Sequence, residues 1–118
     1  MTTQCSEWTV EFYTDARGRS EVGEFINGLP VRDRARVRNT LRLLREFGVL
    51  LQLPHARHIS GRRGLWELRA GAIRLFYFAH TERRFIILHG FRKKTRRTPR
   101  GEIATAERRM AEFSEGEQ

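Results

Sequence analysis

The stretch that decides the fold is residues 85–100, FIILHGFRKKTRRTPR. Its apolar start, Phe85–Leu88, predicts a buried strand. Six cationic side chains follow within nine residues, and Thr98-Pro99 is typical of a helix start because a cap residue precedes proline at the first helical position. A flexible tail would not be held between a strand and a capped helix. We therefore expect a rigid sheet edge that presents a positive cluster suited to phosphates, with a solvated basic loop as the alternative.

Three strand-like runs stand close together in the second half of the chain. They are Leu65–Ala70, Ala72–Ala79 and Phe85–Phe91, with a tight hairpin at Gly71 and a looser one at residues 80–84. This arrangement predicts an antiparallel meander.

The first half predicts one strand and two helices. Residues 8–13 alternate apolar and polar, which indicates a half-buried strand. One helix ends at Gly28 and Pro30, and a second runs from there to Gly48. The order is β-α-α-β-β-β-α, which predicts one small α+β domain over residues 1–118 with its core at about 8–113. We expect a mostly antiparallel sheet with helices on one face and the other face partly open.

The amino-acid composition narrows the range of possible binding partners. Lys and Arg number 23 against 14 Asp and Glu, which gives a net charge of +9 and favours nucleic acid, ribosome, anionic lipid or an acidic protein. The single Cys5 permits no disulfide within the chain, and residues 1–8 lack the pattern of a secretion signal. No apolar run approaches the roughly 18 residues that a membrane span needs. We expect a cytoplasmic protein without a membrane segment.

The strand pattern separates two faces of the predicted sheet. One face is core and consists of Trp66, Leu68, Ile73, Leu75 and Tyr77; the other carries Glu67, Arg69, Arg74, Phe76 and Phe78. A turn at Ala70-Gly71 would place Glu67 opposite Arg74. A four-residue loop at 80–83 would place His89 beside Arg74 and Phe85 beside Phe78.

In this register the charged face gathers a candidate site. It would bring together Arg69, Arg74, His89 and Phe91, with residues 92–97 just beyond. Two structural alternatives stay open: Arg74 pairs with Glu67 across the strands, or His89 is an ordinary sheet histidine. His55 and His58 do not complete a coordination sphere, so we expect no metal and no cofactor.

The motifs LWELR (65–69), IRLFYF (73–78) and LHGFRKKTRRTP (88–99) resemble the RelE/ParE toxin superfamily, and most closely its phage-derived, HigB-like branch. The resemblance covers roughly residues 8–113. It implies a type II toxin–antitoxin toxin that cleaves mRNA, often on the ribosome, and is silenced by a helix-turn-helix antitoxin. It also implies a metal-independent reaction in which the RNA 2′-OH attacks the adjacent phosphate.

The resemblance assigns roles to individual residues. Arg74 matches the strand arginine that stabilises the transition state, and we expect it to serve catalysis rather than stability. Lys93 and Lys94 match the basic residues that bind phosphate or carry protons. The tyrosine that many relatives carry in the last helix is absent here, which leaves His89 or a lysine as the acid or base. The expected RNA-binding residues are Arg69, Phe91, Arg92, Arg96 and Arg97.

Two other functions fit the same sequence. A ParE-like toxin would inhibit DNA gyrase by protein contact alone, without converging proton-transfer groups. A regulatory domain could keep the fold and bind nucleic acid without cleaving it, since fold does not determine function.

Overall fold

The computed structural model describes residues 8–81 and 83–116. Its elements, in chain order, are β1 (Thr9–Phe12), α1 (Glu21–Asn27), α2 (Val31–Phe47), a 3₁₀ turn (Gly48–Leu50), β2 (Ala56–His58), β3 (Trp66–Ala70), β4 (Ile73–His80), β5 (Arg84–Arg92) and α3 (Arg100–Gly116). Cys5 lies outside the described residues. No helix among the described residues is long and apolar enough to cross a membrane.

The five strands form one mixed sheet in the order β1-β5-β4-β3-β2. Strand β1 runs parallel to β5, whereas the other neighbours are antiparallel. The α+β class and the predicted order of helices and long strands are confirmed. The short strand β2 falls in a stretch that reads as loop, because three residues carry too little periodicity to predict a strand.

Helices cover both faces of the sheet, so the expectation of helices on one face was wrong. Helices α1 and α2 pack on one core with Leu68, Leu75 and Tyr77. Helix α3 packs on the opposite face against β4 and β5, where Phe76 and Ile86 belong to a second core. That face carries apolar side chains along both strands, and burying them requires a helix with an apolar stripe. The stripe consists of Ile103, Ala106, Met110 and Phe113.

The first hairpin differs from its predicted register by two residues. The turn is Gly71-Ala72, so Arg69 lies opposite Arg74 and Glu67 lies opposite Phe76. Because side chains alternate with a period of two, a shift of two leaves every residue on its predicted face.

The second hairpin contains an irregularity that restores the predicted face. Phe85 lies opposite Ala79, not beside Phe78 as expected, and packs in the core under α1 and α2. The register then shifts between Phe76 and Tyr77, which leaves Leu88 as an extra residue in β5. His89 consequently faces Phe76 rather than Arg74, but it stays on the side of the sheet that carries Arg74.

Candidate nucleic-acid interface

Helix α3 covers the β5–β4 half of its face, and a groove of about 880 Å³ lies beside it. The groove is bounded by β2, the turn that follows it, the segment before α3 and the first turn of α3. Its lining is Arg57, His58, Ile59, Ser60, Arg62, Arg96, Arg97, Thr98, Arg100 and Ile103. Five of these residues are arginines and none is acidic, so the wall offers a positive potential with many hydrogen-bond donors.

A buried carboxylate lies between the groove and the sheet. Glu67 has 0% exposed surface and stands between two groove residues and Arg74. Its Oε1 is 3.8 Å from Arg57 Nη2, and its Oε2 accepts a hydrogen bond of 3.4 Å from Thr98 Oγ1. The second oxygen is also 4.0 Å from Arg74 Nε. Glu67 thus contacts two guanidinium groups from different strands.

Neither side of the Glu67–Arg74 contact is fully satisfied. Among the described residues, Glu67 Oε1 and Arg74 Nε have no hydrogen-bond partner although both atoms are buried. Buried unsatisfied polar atoms are uncommon in native proteins, so each one calls for a physical explanation. The pairing of Arg74 with Glu67, one of the structural alternatives from the sequence, is present as a diagonal contact rather than between directly opposed residues.

Arg74 itself is a buried side chain with 8% exposed surface. Its Nη1 donates hydrogen bonds to the carbonyls of Gly71, at 2.5 Å, and Ile73, at 3.1 Å. Burial lowers the pKa of the Arg74 guanidinium, and the Glu67 carboxylate opposes that shift. An arginine stays protonated under such conditions, so the charge is retained and its orientation is fixed by the β3–β4 turn.

His89 lies on the same face but has both ring nitrogens engaged. Nε2 is 2.5 Å from Glu102 Oε1, and Nδ1 is 3.5 Å from Arg109 Nη1. Arginine can only donate, so Nδ1 is the acceptor and Nε2 carries the proton that Glu102 accepts. Arg109 also donates to the Leu88 carbonyl at 3.0 Å. This arrangement holds α3 against β5 and occupies both ring nitrogens of His89 with protein contacts.

The two tyrosines do not replace the one missing from the last helix. Tyr77 is buried in the core against Phe85, and burial raises the pKa of its hydroxyl above the usual range. Tyr13 donates a hydrogen bond of 2.5 Å to Glu112, which raises the pKa of Tyr13. Neither residue is among those that line the arginine-lined groove.

The remaining predicted site residues divide between two recesses. Arg96 and Arg97 line the groove, whereas Phe91, Arg92 and Lys94 line a neighbouring recess of about 480 Å³. Phe91 is 7% exposed and packs on the rings of Phe76 and His89, which leaves little ring face for a base.

Three further predicted residues, Arg92, Lys93 and Arg69, lie near these recesses, and the Arg92 side chain has a structural contact of its own. Arg92 donates to Asp33 at 2.6 Å and so fastens the end of β5 to α2. The Lys93 amide donates to the Ala72 carbonyl at 2.8 Å, and Arg69, half-buried, lies opposite Arg74.

Sequence reasoning missed two arginines of the groove, Arg57 and Arg62, whereas Arg100 belongs to the predicted basic cluster after the last strand. Arg57 and Arg62 belong to the stretch that reads as loop, and Arg62 also pairs with Glu107 at 3.3 Å. A basic density of two arginines and two histidines within residues 55–62 was the available signal.

No group of three or more metal-ligating side chains occurs within residues 8–81 and 83–116.

Comparison with known proteins defines the class of fold first. RelE in the crystal structure of an archaeal RelE–RelB complex from Pyrococcus horikoshii OT3 matches with a TM-score of 0.59, covering 77% of this chain and 99% of that chain at 17% identity. The toxin–antitoxin complex RelBE2 from Mycobacterium tuberculosis matches at 27% identity with a TM-score of 0.45, covering 74% and 99%. The match to the archaeal RelE shows that the fold is RelE-like.

The family follows from the sequence. The profile of the family described as phage-derived protein Gp49-like matches residues 24–111, so this chain belongs to that family. No curated protein matches the chain significantly. The resemblance to the RelE/ParE superfamily is confirmed by this family together with the RelE-like fold.

Proposed function

We propose that the protein is a HigB-like toxin of a type II toxin–antitoxin system that cleaves mRNA on the ribosome in the cytoplasm. The observation that carries the proposal is the arginine-lined groove above the buried Glu67–Arg74 pair. Gp49-like membership and the RelE-like fold support the toxin class. The matched archaeal RelE comes from a complex with RelB, which supports a cognate antitoxin here. We propose that this antitoxin is of the helix-turn-helix type.

Cleavage would proceed without a metal ion. The RNA 2′-OH attacks the adjacent phosphorus, the bond to the 5′-oxygen breaks, and a 2′,3′-cyclic phosphate remains on the upstream fragment. Arg74 would stabilise the charge that develops on the phosphate, and Lys93 and Lys94 would bind phosphate or carry protons. Arg69, Arg96 and Arg97 would hold the flanking backbone. Orientation by the β3–β4 turn gives Arg74 the preorganisation that this role requires.

The structure favours one second candidate, a nucleic-acid-binding protein without catalytic activity. Arg74 is largely covered, and both nitrogens of His89 are engaged. Proton transfer through His89 would require Glu102 to release Nε2. A binding protein needs no such movement, and the groove would serve it equally well.

A salt-dependence measurement tests the groove as the RNA site. Each phosphate contact contributes a slope of about 0.7 to the dependence of log affinity on log salt for single-stranded RNA. The Arg57→Ala/Arg97→Ala variant should therefore bind a single-stranded RNA more weakly, with a slope reduced by about 1.4. A matched control is Arg32→Ala/Arg38→Ala, which removes two exposed arginines from α2. An equal loss in both variants would contradict the assignment of the groove.

Induction in a bacterial host separates the two candidates. A cleaving toxin should arrest growth and shorten transcripts, and the Arg57→Ala/Arg97→Ala variant should do neither. A binding protein should leave transcripts intact even when it binds RNA tightly. Arrest with a DNA-damage response and intact mRNA would instead indicate a gyrase inhibitor.

A further inference from the structure

A band of exposed apolar side chains lies around the 3₁₀ turn, on residues that do not line the arginine-lined groove. Within seven residues, four large apolar side chains are more than half exposed: Phe47, Val49, Leu50 and Leu53. We call these four residues the apolar band. Single exposed apolar residues are common, but a contiguous group is typical of an interaction surface.

The apolar band borders a recess that can take one side chain. Val49 of the band lines a recess of about 50 Å³, whose other walls are buried or half-buried residues except for the exposed Ala79. Those walls are Leu51, Trp66, Tyr77, Ala79 and Phe85. The volume suits a branched aliphatic group, and an anchor that fills an apolar pocket typically contributes strongly to a protein interface. A flat lipid surface would gain nothing from such a recess.

Cations flank the apolar band on the side of α2. Trp8 packs against Gly48, which begins the 3₁₀ turn, and also lines a recess of about 410 Å³ together with two cations, Arg42 and Arg45, and one anion, Glu46. Arg83 lies over the Trp8 ring at 6.0 Å. An occupant of the band therefore meets positive charge at its edge, which favours carboxylates beside its apolar side chains.

We propose that the apolar band binds an amphipathic, acidic protein segment that inserts one aliphatic side chain into the recess at Val49. A second copy of this chain is a poorer occupant, because pairing two bands would bring two sets of arginines together on chains of net charge +9. Within the proposed function the occupant is the antitoxin, so this inference rests on that proposal. The apolar band shares no residue with the arginine-lined groove. A segment bound to the band would therefore not need to contact the residues that line the groove.

The test uses Leu50→Glu, with Val31→Glu as the matched control. Both positions are apolar and exposed, at 75% and 72%. They are separated by most of α2, a distance of about 24 Å for sixteen residues of helix rise. The probe is the product of the reading frame next to this gene, purified and titrated against each full-length variant. We expect Leu50→Glu to weaken binding at least tenfold and Val31→Glu to bind like the wild type. Circular dichroism confirms that both variants are folded.

Growth assays separate this inference from the proposed function. Leu50→Glu should still arrest growth, and the co-expressed neighbour should rescue cells from the wild type and Val31→Glu but not from Leu50→Glu. Equal rescue of both variants, or no binding of the neighbour to the wild type, would overturn the inference. So would a Leu50-dependent association of the wild type with itself or with phosphatidylglycerol vesicles. Absence of growth arrest by the wild type would count against the proposed function, while the titration would still test the surface.

Discussion

Replacing Arg74 with alanine should destabilise the protein, contrary to the expectation from the sequence, because Arg74 is half of a buried ion pair. Its removal would leave the Glu67 carboxylate, which has 0% exposed surface, with Arg57 at 3.8 Å as its remaining cationic neighbour. Breaking a buried pair by deleting one partner typically costs about 3–5 kcal/mol, and Arg57 places this case near the lower end. Out of a total stability of about 5–15 kcal/mol, a loss of about 3 kcal/mol is substantial.

A double-mutant cycle isolates this contribution. Urea unfolding at neutral pH would be measured for the wild type, Glu67→Gln, Arg74→Ala and the double variant. Glu67→Gln keeps the shape of the side chain and removes its charge, so the double variant should recover about half of the stability that Arg74→Ala loses. An Arg74→Ala variant within about 1 kcal/mol of the wild type, or purely additive effects, would refute the role of the pair.

The same variants separate stability from activity. Because Arg74 is also the proposed transition-state stabiliser, the double variant should fold and yet fail to arrest growth. Losing one preorganised donor of this kind typically costs about a hundredfold or more in rate. Full toxicity of a folded double variant would show that Arg74 is structural alone.

Two further predictions concern the first strand and its surroundings. Gly48→Ala should destabilise the protein by more than about 1 kcal/mol, the general cost of overpacking. A Cβ at Gly48 (φ +57°) would lie 2.1 Å from Trp8 Nε1. Thermal melting would measure the loss of stability. Glu11→Gln should cost about 0.5–1 kcal/mol, since this partly exposed carboxylate accepts hydrogen bonds of 2.6 and 2.9 Å from Arg84. The hydrogen bond from Arg84 lowers the pKa of Glu11 in the folded protein. The difference in unfolding free energy between Glu11→Gln and the wild type should therefore persist above the unfolded-state pKa near 4.3 and vanish as the pH falls through the lower folded-state pKa. A difference that stays constant down to pH 2 would contradict this.

The faces of the hairpins could be predicted because alternation along β3 and β4 is strong. Swapping Leu68 or Leu75 with a charged neighbour would place charge in the apolar core under α1 and α2, so the sequence permits one assignment of faces although it permits several registers. The extra residue Leu88 was not predictable, since a bulge leaves no mark in a continuous apolar run such as Phe85–Leu88. The sequence did not predict which face of the sheet α3 covers. The apolar stripe of α3 indicates that the helix packs against the sheet but does not identify the face.

The candidate site was predicted in part for a similar reason. Local sequence identifies Arg96 and Arg97 as basic and near a strand end, and the groove does contain them. Arg57 joins them through the pairing of β2 with β3, a contact between segments that a single sequence does not reveal. The burial of Phe91 and the pairing of Arg92 with Asp33 depend on tertiary packing. From the sequence alone, both side chains therefore look available for binding RNA.

Mapping transcript ends after brief induction tests the proposed cleavage of mRNA. A cleaving toxin would create new mRNA ends within translated regions, phased with codons, and 2′,3′-cyclic phosphates on the upstream fragments, with both signals lost in Arg57→Ala/Arg97→Ala. Induction of the soluble wild-type protein with transcripts that remain intact, or with ends that lack the cyclic phosphate, would contradict it.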